Sequence, residues 1–128
     1  MTGLRVMVVD DSLITINKLT RMLTELGYDV VSQCRSGVLA VESYPKVKPD
    51  IVTMDITMPD MDGIEATKAI MASDPQANII MVTSHGQEQM VLEAIDAGAQ
   101  GYVLKPVKET RLQEVIRKVL KSYNDKAE

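Results

Sequence analysis

Short apolar runs alternate with stretches of helical periodicity along this chain, and each run ends in a residue able to do chemistry. Val6-Met7-Val8-Val9 leads into Asp10-Asp11, Ile51-Val52-Thr53-Met54 into Asp55, Ile79-Ile80-Met81-Val82 into Thr83-Ser84, and Tyr102-Val103-Leu104 into Lys105-Pro106. Strand-helix alternation of this kind argues for βα units and a parallel sheet. The charged and hydroxyl groups then all arrive at one edge of the sheet. In an open parallel sheet that carboxyl edge is where ligands bind.

Strand one is expected over Leu4 to Asp10 and strand two over Tyr28 to Cys34. Strands three, four and five are expected over Ile51 to Met54, Asn78 to Val82 and Gly101 to Leu104. The first helix carries Leu13, Ile16, Leu19, Leu23 and Leu26 as an apolar stripe and stops at Gly27. Ser36 can cap a short second helix that ends before Pro45. The third runs over Ile64 to Ala72, the fourth over Gln87 to Asp96 before Gly98, and the fifth over Glu109 to Ser122. Asn124 to Glu128 are polar and expected to fray.

The expected fold class is α/β, a (βα)5 doubly wound parallel sheet in a single domain over residues 1–128. Strands one and three are the most continuously apolar, as interior strands are, whereas Gln33 suits strand two to an edge. A strand order of 2-1-3-4-5, taken from flavodoxin-like sheets as a template, satisfies this and right-handed crossovers. It sets Asp10, Asp11 and Asp55 together at the switch point.

Composition removes several alternatives. The net charge is −4 and the basic residues are scattered, which gives nucleic-acid binding no support. The apolar stretch from Leu4 to Val9 is too short for a signal peptide core or a membrane span, so no membrane insertion and a cytoplasmic location are expected. Cys34 is the sole cysteine, which rules out an intramolecular disulfide and suggests a buried strand thiol. With no Phe or Trp, the nine Met help to fill the core.

Three converging carboxylates repel one another, and at least one must hold its proton more tightly. A divalent cation resolves the conflict, and Mg2+ suits a site of carboxylates, waters and a phosphate oxygen. Asp55 can then act as a nucleophile toward phosphorus and form an aspartyl phosphate. The Lys105 ammonium can pair with phosphoryl oxygens, the Thr83 hydroxyl can hydrogen-bond one, and the Lys105–Pro106 bond can be cis. Simpler readings stand beside these. Asp11-Ser12 can be a helix cap, His85 an exposed loop residue, Met90, Val91, Ala94 and Ala97 core, and the charges of helix five a solvated face.

The residues Val8-Val9-Asp10-Asp11-Ser12, Met54 to Gly63, Val82-Thr83-Ser84 and Lys105-Pro106 together resemble the receiver domain of two-component response regulators, over essentially the whole chain. Asp50 to Pro59 resembles chemotaxis regulators of the CheY type. The resemblance implies that Asp55 takes a phosphoryl group from a histidine kinase. It implies that Asp11 and Asp55 ligate Mg2+, with Asp10 acting through water and the Thr57 carbonyl as a further ligand. Thr83 and Lys105 would bind the phosphoryl group, and Tyr102 would be the aromatic switch, turning inward as Thr83 moves. A surface of helix four, strand five and helix five would then change its affinity for a downstream target such as the flagellar motor switch. A phosphatase is a further implied partner, and the domain would be a monomer or a phosphorylation-dependent dimer. It is expected to be a phosphoacceptor that assists its own phosphorylation and dephosphorylation, not an enzyme. Thr57 and His85 hold places that influence phosphoryl lifetime in this family, so His85 is expected to modulate dephosphorylation. A receiver excised from a larger regulator, or one serving a phosphorelay or stress pathway, fits the same residues. A haloacid-dehalogenase-type phosphatase fits poorly, because its paired aspartates stand one residue apart while Asp10 and Asp11 are adjacent.

Overall fold

In a computed structural model describing residues 3–127, the chain forms β1 (Arg5–Val9), α1 (Leu13–Glu25), β2 (Asp29–Cys34), α2 (Gly37–Val47), β3 (Ile51–Met54), α3 (Gly63–Ser73), β4 (Ile79–Thr83), α4 (Glu88–Ala97), β5 (Gly101–Leu104) and α5 (Glu109–Ala127). The five strands are all parallel in the order β2-β1-β3-β4-β5. This is the expected fold, with β2 at an edge.

Side-chain alternation explains why the strands read as unbroken apolar runs. Met7, Val9, Val52, Met54, Ile79 and Met81 pack on one face against α2, α3 and α4. Val6, Val8, Ile51, Ile80, Val82 and Val103 pack on the other against α1 and α5. Both faces are covered, so both parities must be apolar. Each fully buried aliphatic side chain contributes about 1.5–3 kcal/mol by leaving water. Cys34 is buried at the end of β2 as expected, its Sγ 3.6 Å from Ser32 Oγ.

Side-chain caps fix where three helices begin. Ser12 Oγ accepts from Thr15 N–H at 3.3 Å, Ser36 Oγ from Leu39 N–H at 3.1 Å, and Asp62 Oδ1 from Glu65 N–H at 2.9 Å. Gly27, at φ 95°, closes α1 with its N–H on the Thr24 carbonyl at 3.0 Å. No helix among the described residues is long and apolar enough to cross a membrane.

Three expectations are corrected. α2 does not end before Pro45 but runs through it to Val47. A proline near a helix end removes only the bond to the carbonyl four residues back, and buried Tyr44 anchors this turn. The turn is closed by Lys48, left-handed at φ 51°, whose N–H reaches the Tyr44 carbonyl at 2.8 Å. α5 continues past Ser122, so Asn124 to Ala127 are helical rather than frayed, while Glu128 lies outside the described residues. Leu13 is 51 % exposed and leaves the α1 stripe to buried Ile16, Leu19 and Leu23, with Leu26 partly buried against the same cluster. It sits in the first turn, at the carboxyl edge of the sheet, next to Ile14, which is 82 % exposed.

Candidate functional site

β1 and β3 are neighbours with Val9 opposite Met54, so Asp10 and Asp55 leave the sheet side by side. The backbone holds both: Asp10 N–H donates to the Cys34 carbonyl and Asp55 N–H to the Val9 carbonyl, each at 3.0 Å. Asp10 is 1 % and Asp55 6 % exposed, a costly position for two carboxylates. Asp11 follows Asp10 and completes the group. One oxygen from each of Asp10, Asp11 and Asp55 lies within 4.8 Å of the others, a set that could hold a metal ion. Asp11-Ser12 thus divides its work, Ser12 capping α1 while Asp11 joins the carboxylates.

Lys105 supplies the compensating charge. Its Nζ lies 2.9 Å from Asp10 Oδ2 and 3.6 Å from Asp55 Oδ1. Its backbone N–H donates to the Thr83 carbonyl at 2.8 Å, which ties the end of β5 to that of β4. The Lys105–Pro106 peptide is cis. Even so, the Asp55 carboxyl is pushed up to about 6, first by burial and then by the charge of Asp10. Lys105 and the Ile56 N–H, 2.9 Å from Asp55 Oδ1, oppose that rise. A carboxylate this crowded favours any cation that reaches it.

Around this centre stand Thr83, Thr57 and Tyr102. Thr83 is 1 % exposed, and its Oγ1 accepts from His85 N–H at 3.2 Å. Tyr102 is half-buried and donates its hydroxyl to the His85 carbonyl at 2.6 Å. Thr57 is exposed, with its Oγ1 2.7 Å from His85 Nε2. The site therefore brings Asp10, Asp11 and Asp55 together, with Lys105 paired to Asp10 and Asp55, while Thr57, Thr83 and Tyr102 meet through His85.

That network corrects the reading of His85 as an exposed loop residue. It is half-buried and bonded to three neighbours. The register carried a signal: Met54 pairs with Met81, so positions two or three past the strand ends of β3 and β4 must approach each other. Two further supports were not read from the sequence. Arg35 Nη2 donates to the Asp11 carbonyl at 3.2 Å, and Gly63 N–H to the Ile56 carbonyl at 2.7 Å.

The fold and site together define an open parallel α/β sheet whose carboxyl edge, where ligands bind in such sheets, gathers three carboxylates and the ammonium of Lys105. Residues 6–117 match the response regulator receiver domain. The chain is 48 % identical over 119 residues to the chemotaxis protein CheY of Thermotoga maritima, covering 93 % of this chain and 99 % of that one. It is 45 % identical over 116 residues to CheY of Bacillus subtilis, covering 91 % and 97 %. Among solved structures, the CheX-CheY-BeF3-Mg complex of Borrelia burgdorferi superposes with a TM-score of 0.89 at 35 % identity, over 91 % of this chain and 89 % of that one. The chain belongs to the response regulator receiver domain family and is CheY-like within it.

Proposed function

We propose that this receiver is a phosphorylation-switched module of chemotaxis signalling, in which Asp55 accepts a phosphoryl group from the phosphohistidine of a histidine kinase. The observation that carries the reading is the convergence of Asp10, Asp11 and Asp55 within 4.8 Å, with Lys105 paired to two of them. The ion assigned to the site is Mg2+, because every donor is a hard oxygen. Asp11 and Asp55 would hold it directly, Asp10 through water, and the Thr57 carbonyl would complete the protein's share. When bound, the ion neutralises the carboxylates and the oxygens of the incoming group.

An Asp55 carboxylate oxygen attacks phosphorus in line with the bond to the donor imidazole. The P–N bond breaks, its electron pair stays on the imidazole, which takes up a proton, and Asp55 becomes an acyl phosphate. Lys105 turns from its carboxylate partners to the phosphoryl oxygens. The Thr83 hydroxyl accepts from His85 N–H and keeps its own hydrogen to donate to a phosphoryl oxygen. The domain is thus a phosphoacceptor that assists its own modification.

Output is a changed protein contact, reached by population shift. The faces of α4 and β5 expose Leu92 at 54 %, Ile95 at 56 % and Leu104 at 51 %. Beside them lies a concavity lined by Tyr102, Leu104, Pro106, Lys108 and Arg111. Apolar anchors beside basic groups suit a downstream target, of which the flagellar motor switch is the favoured one. A phosphatase partner belongs to the same reading, supported by the Borrelia CheY, which is in complex with CheX, BeF3 and Mg. The module acts in the cytoplasm as a monomer or a phosphorylation-dependent dimer, within a domain spanning residues 1–128.

Intact mass after incubation with acetyl phosphate tests this. One added phosphoryl group, labile to hydroxylamine and dependent on Mg2+, is the expected result. No adduct under rapid quenching, together with no binding of beryllofluoride, ends the receiver function. His85 is expected to modulate the decay of that adduct, since it stands at the rim beside Thr57. His85→Ala should change the decay rate by about threefold or more, the effect of one hydrogen bond. A decay rate equal to wild type removes His85 from dephosphorylation.

A further inference from the structure

His85 gathers hydrogen bonds from the loop after β3, the end of β4 and the middle of β5. Its Nε2 meets Thr57 Oγ1 at 2.7 Å beyond β3, its N–H meets Thr83 Oγ1 at 3.2 Å at the end of β4, and its carbonyl meets Tyr102 OH at 2.6 Å on β5. The rest of the β4–α4 connection is weakly held. Ser84, Gly86 and Gln87 are exposed, and Gln87 makes no side-chain cap to α4. The first backbone bond to secure α4 runs from Val91 N–H to the Gln87 carbonyl at 3.1 Å.

We propose that the Thr57–His85 side-chain hydrogen bond is a clamp on the β4–α4 connection, making Thr57 a positioning residue for the acceptor of the Tyr102 hydroxyl. The threonine hydroxyl can donate or accept, so the bond forms with either neutral tautomer of the ring. The clamp joins the β3–α3 loop, beside the carboxylates, to the aromatic residue of β5. When a ligand draws the Thr83 hydroxyl away from His85 N–H, Thr57 is the remaining side-chain tether from the site. This bond and the one from the Tyr102 hydroxyl to the His85 carbonyl then limit how far the connection moves. The direction of that signal rests on the receiver reading; the clamp itself is a property of the unmodified protein.

Hydrogen exchange of metal-free, unphosphorylated protein tests it, with a second readout from the 19F spectrum of 3-fluorotyrosine-labelled protein. The Tyr102 resonance is assigned with Tyr102→Phe. Thr57→Val should accelerate exchange at the His85 and Val91 amides by about fivefold and shift the Tyr102 resonance. Thr57→Ser should restore both. His85→Ala should accelerate the Val91 amide similarly and add nothing in the Thr57→Val background, since both remove the same bond. Acceleration under twofold, failure of serine to restore, or equal acceleration in β1 and β3 would overturn the clamp. The acetyl phosphate assay separates the two readings. An adduct without the exchange effect removes only the clamp, and the exchange effect without an adduct removes only the phosphoacceptor function.

Discussion

Asp55→Asn should abolish the phosphoryl adduct and, in metal-free buffer, leave a more stable protein than wild type. The first half follows from the chemistry: a carboxamide oxygen is a poor nucleophile, and the Asn side chain brings no charge to an ion. Intact mass should show no hydroxylamine-labile addition in the variant under conditions that modify wild type. The second half follows from the burial of that carboxyl. Its pKa stands at about 6 against an ordinary 3.8, so the folded state binds the proton more tightly than the unfolded state does. That contribution to stability is fully present below the unfolded value and is lost as pH rises through the folded one. Wild type should therefore weaken between about pH 4 and 6 through this group, and the variant should not. After a discount for solvent screening, the variant should gain about 1–2 kcal/mol at pH 7. Urea denaturation at pH 4 and pH 7 measures it, and the difference should shrink at the lower pH. With Mg2+ at the proposed site, adding the ion should reverse part of the gap, because wild type would gain stability by binding it while the variant would lack one ligand. A variant less stable than wild type at pH 7 without metal would show that Asp55 is not strained by its neighbours.

What the sequence made legible is what depends on chain direction and local periodicity. Strand-helix alternation dictates parallel strands, and parallel strands bring Asp10, Asp55, Thr83 and Lys105 to one edge wherever the helices sit. The strand order came from a template, because periodicity cannot say which interior strand lies beside which. Other features depended on meetings between distant segments. His85 lies 28 residues from Thr57, and only the register of β3 against β4 brings them together. Pro45 reads as a helix stop, and locally it is a poor helix residue. Tertiary packing of Tyr44 keeps the turn, and a left-handed Lys48 closes it. Leu13 fits the apolar period of α1, yet period alone does not tell where the covering layer ends. Propensity gave way to packing in each case.

Gly63→Ala should be among the most damaging single-methyl changes in this protein, although the added group is small and Gly63 opens a helix. A Cβ there would overlap the carbonyl oxygen of Asp55 and stand 2.8 Å from its carbonyl carbon and 2.9 Å from Ile56 Cα. These are backbone atoms, with no rotamer to take up the strain. Either α3 moves away, breaking the 2.7 Å bond from Gly63 N–H to the Ile56 carbonyl, or the end of β3 moves and carries the Asp55 carboxylate with it. Gly37 meets the same loop from α2, where a Cβ would overlap the Met61 carbonyl oxygen, so the loop has little room to yield on that side. Overpacking against backbone should cost about 2–4 kcal/mol. In a domain of this size that lowers Tm by about 10 °C. Gly86→Ala is the control, because its Cβ would meet only the flexible end of Leu104, at 3.3 Å. It should stay within about 1 kcal/mol of wild type. Thermal melts of both variants decide the matter, and acetyl phosphate labelling of any folded Gly63→Ala protein adds the functional half. A displaced Asp55 should slow labelling even where the fold survives, since misplacement by about 1 Å can slow a reaction about a hundredfold. A Gly63→Ala protein that melts within about 3 °C of wild type and labels at the same rate would mean that the contact relaxes without moving the carboxylate.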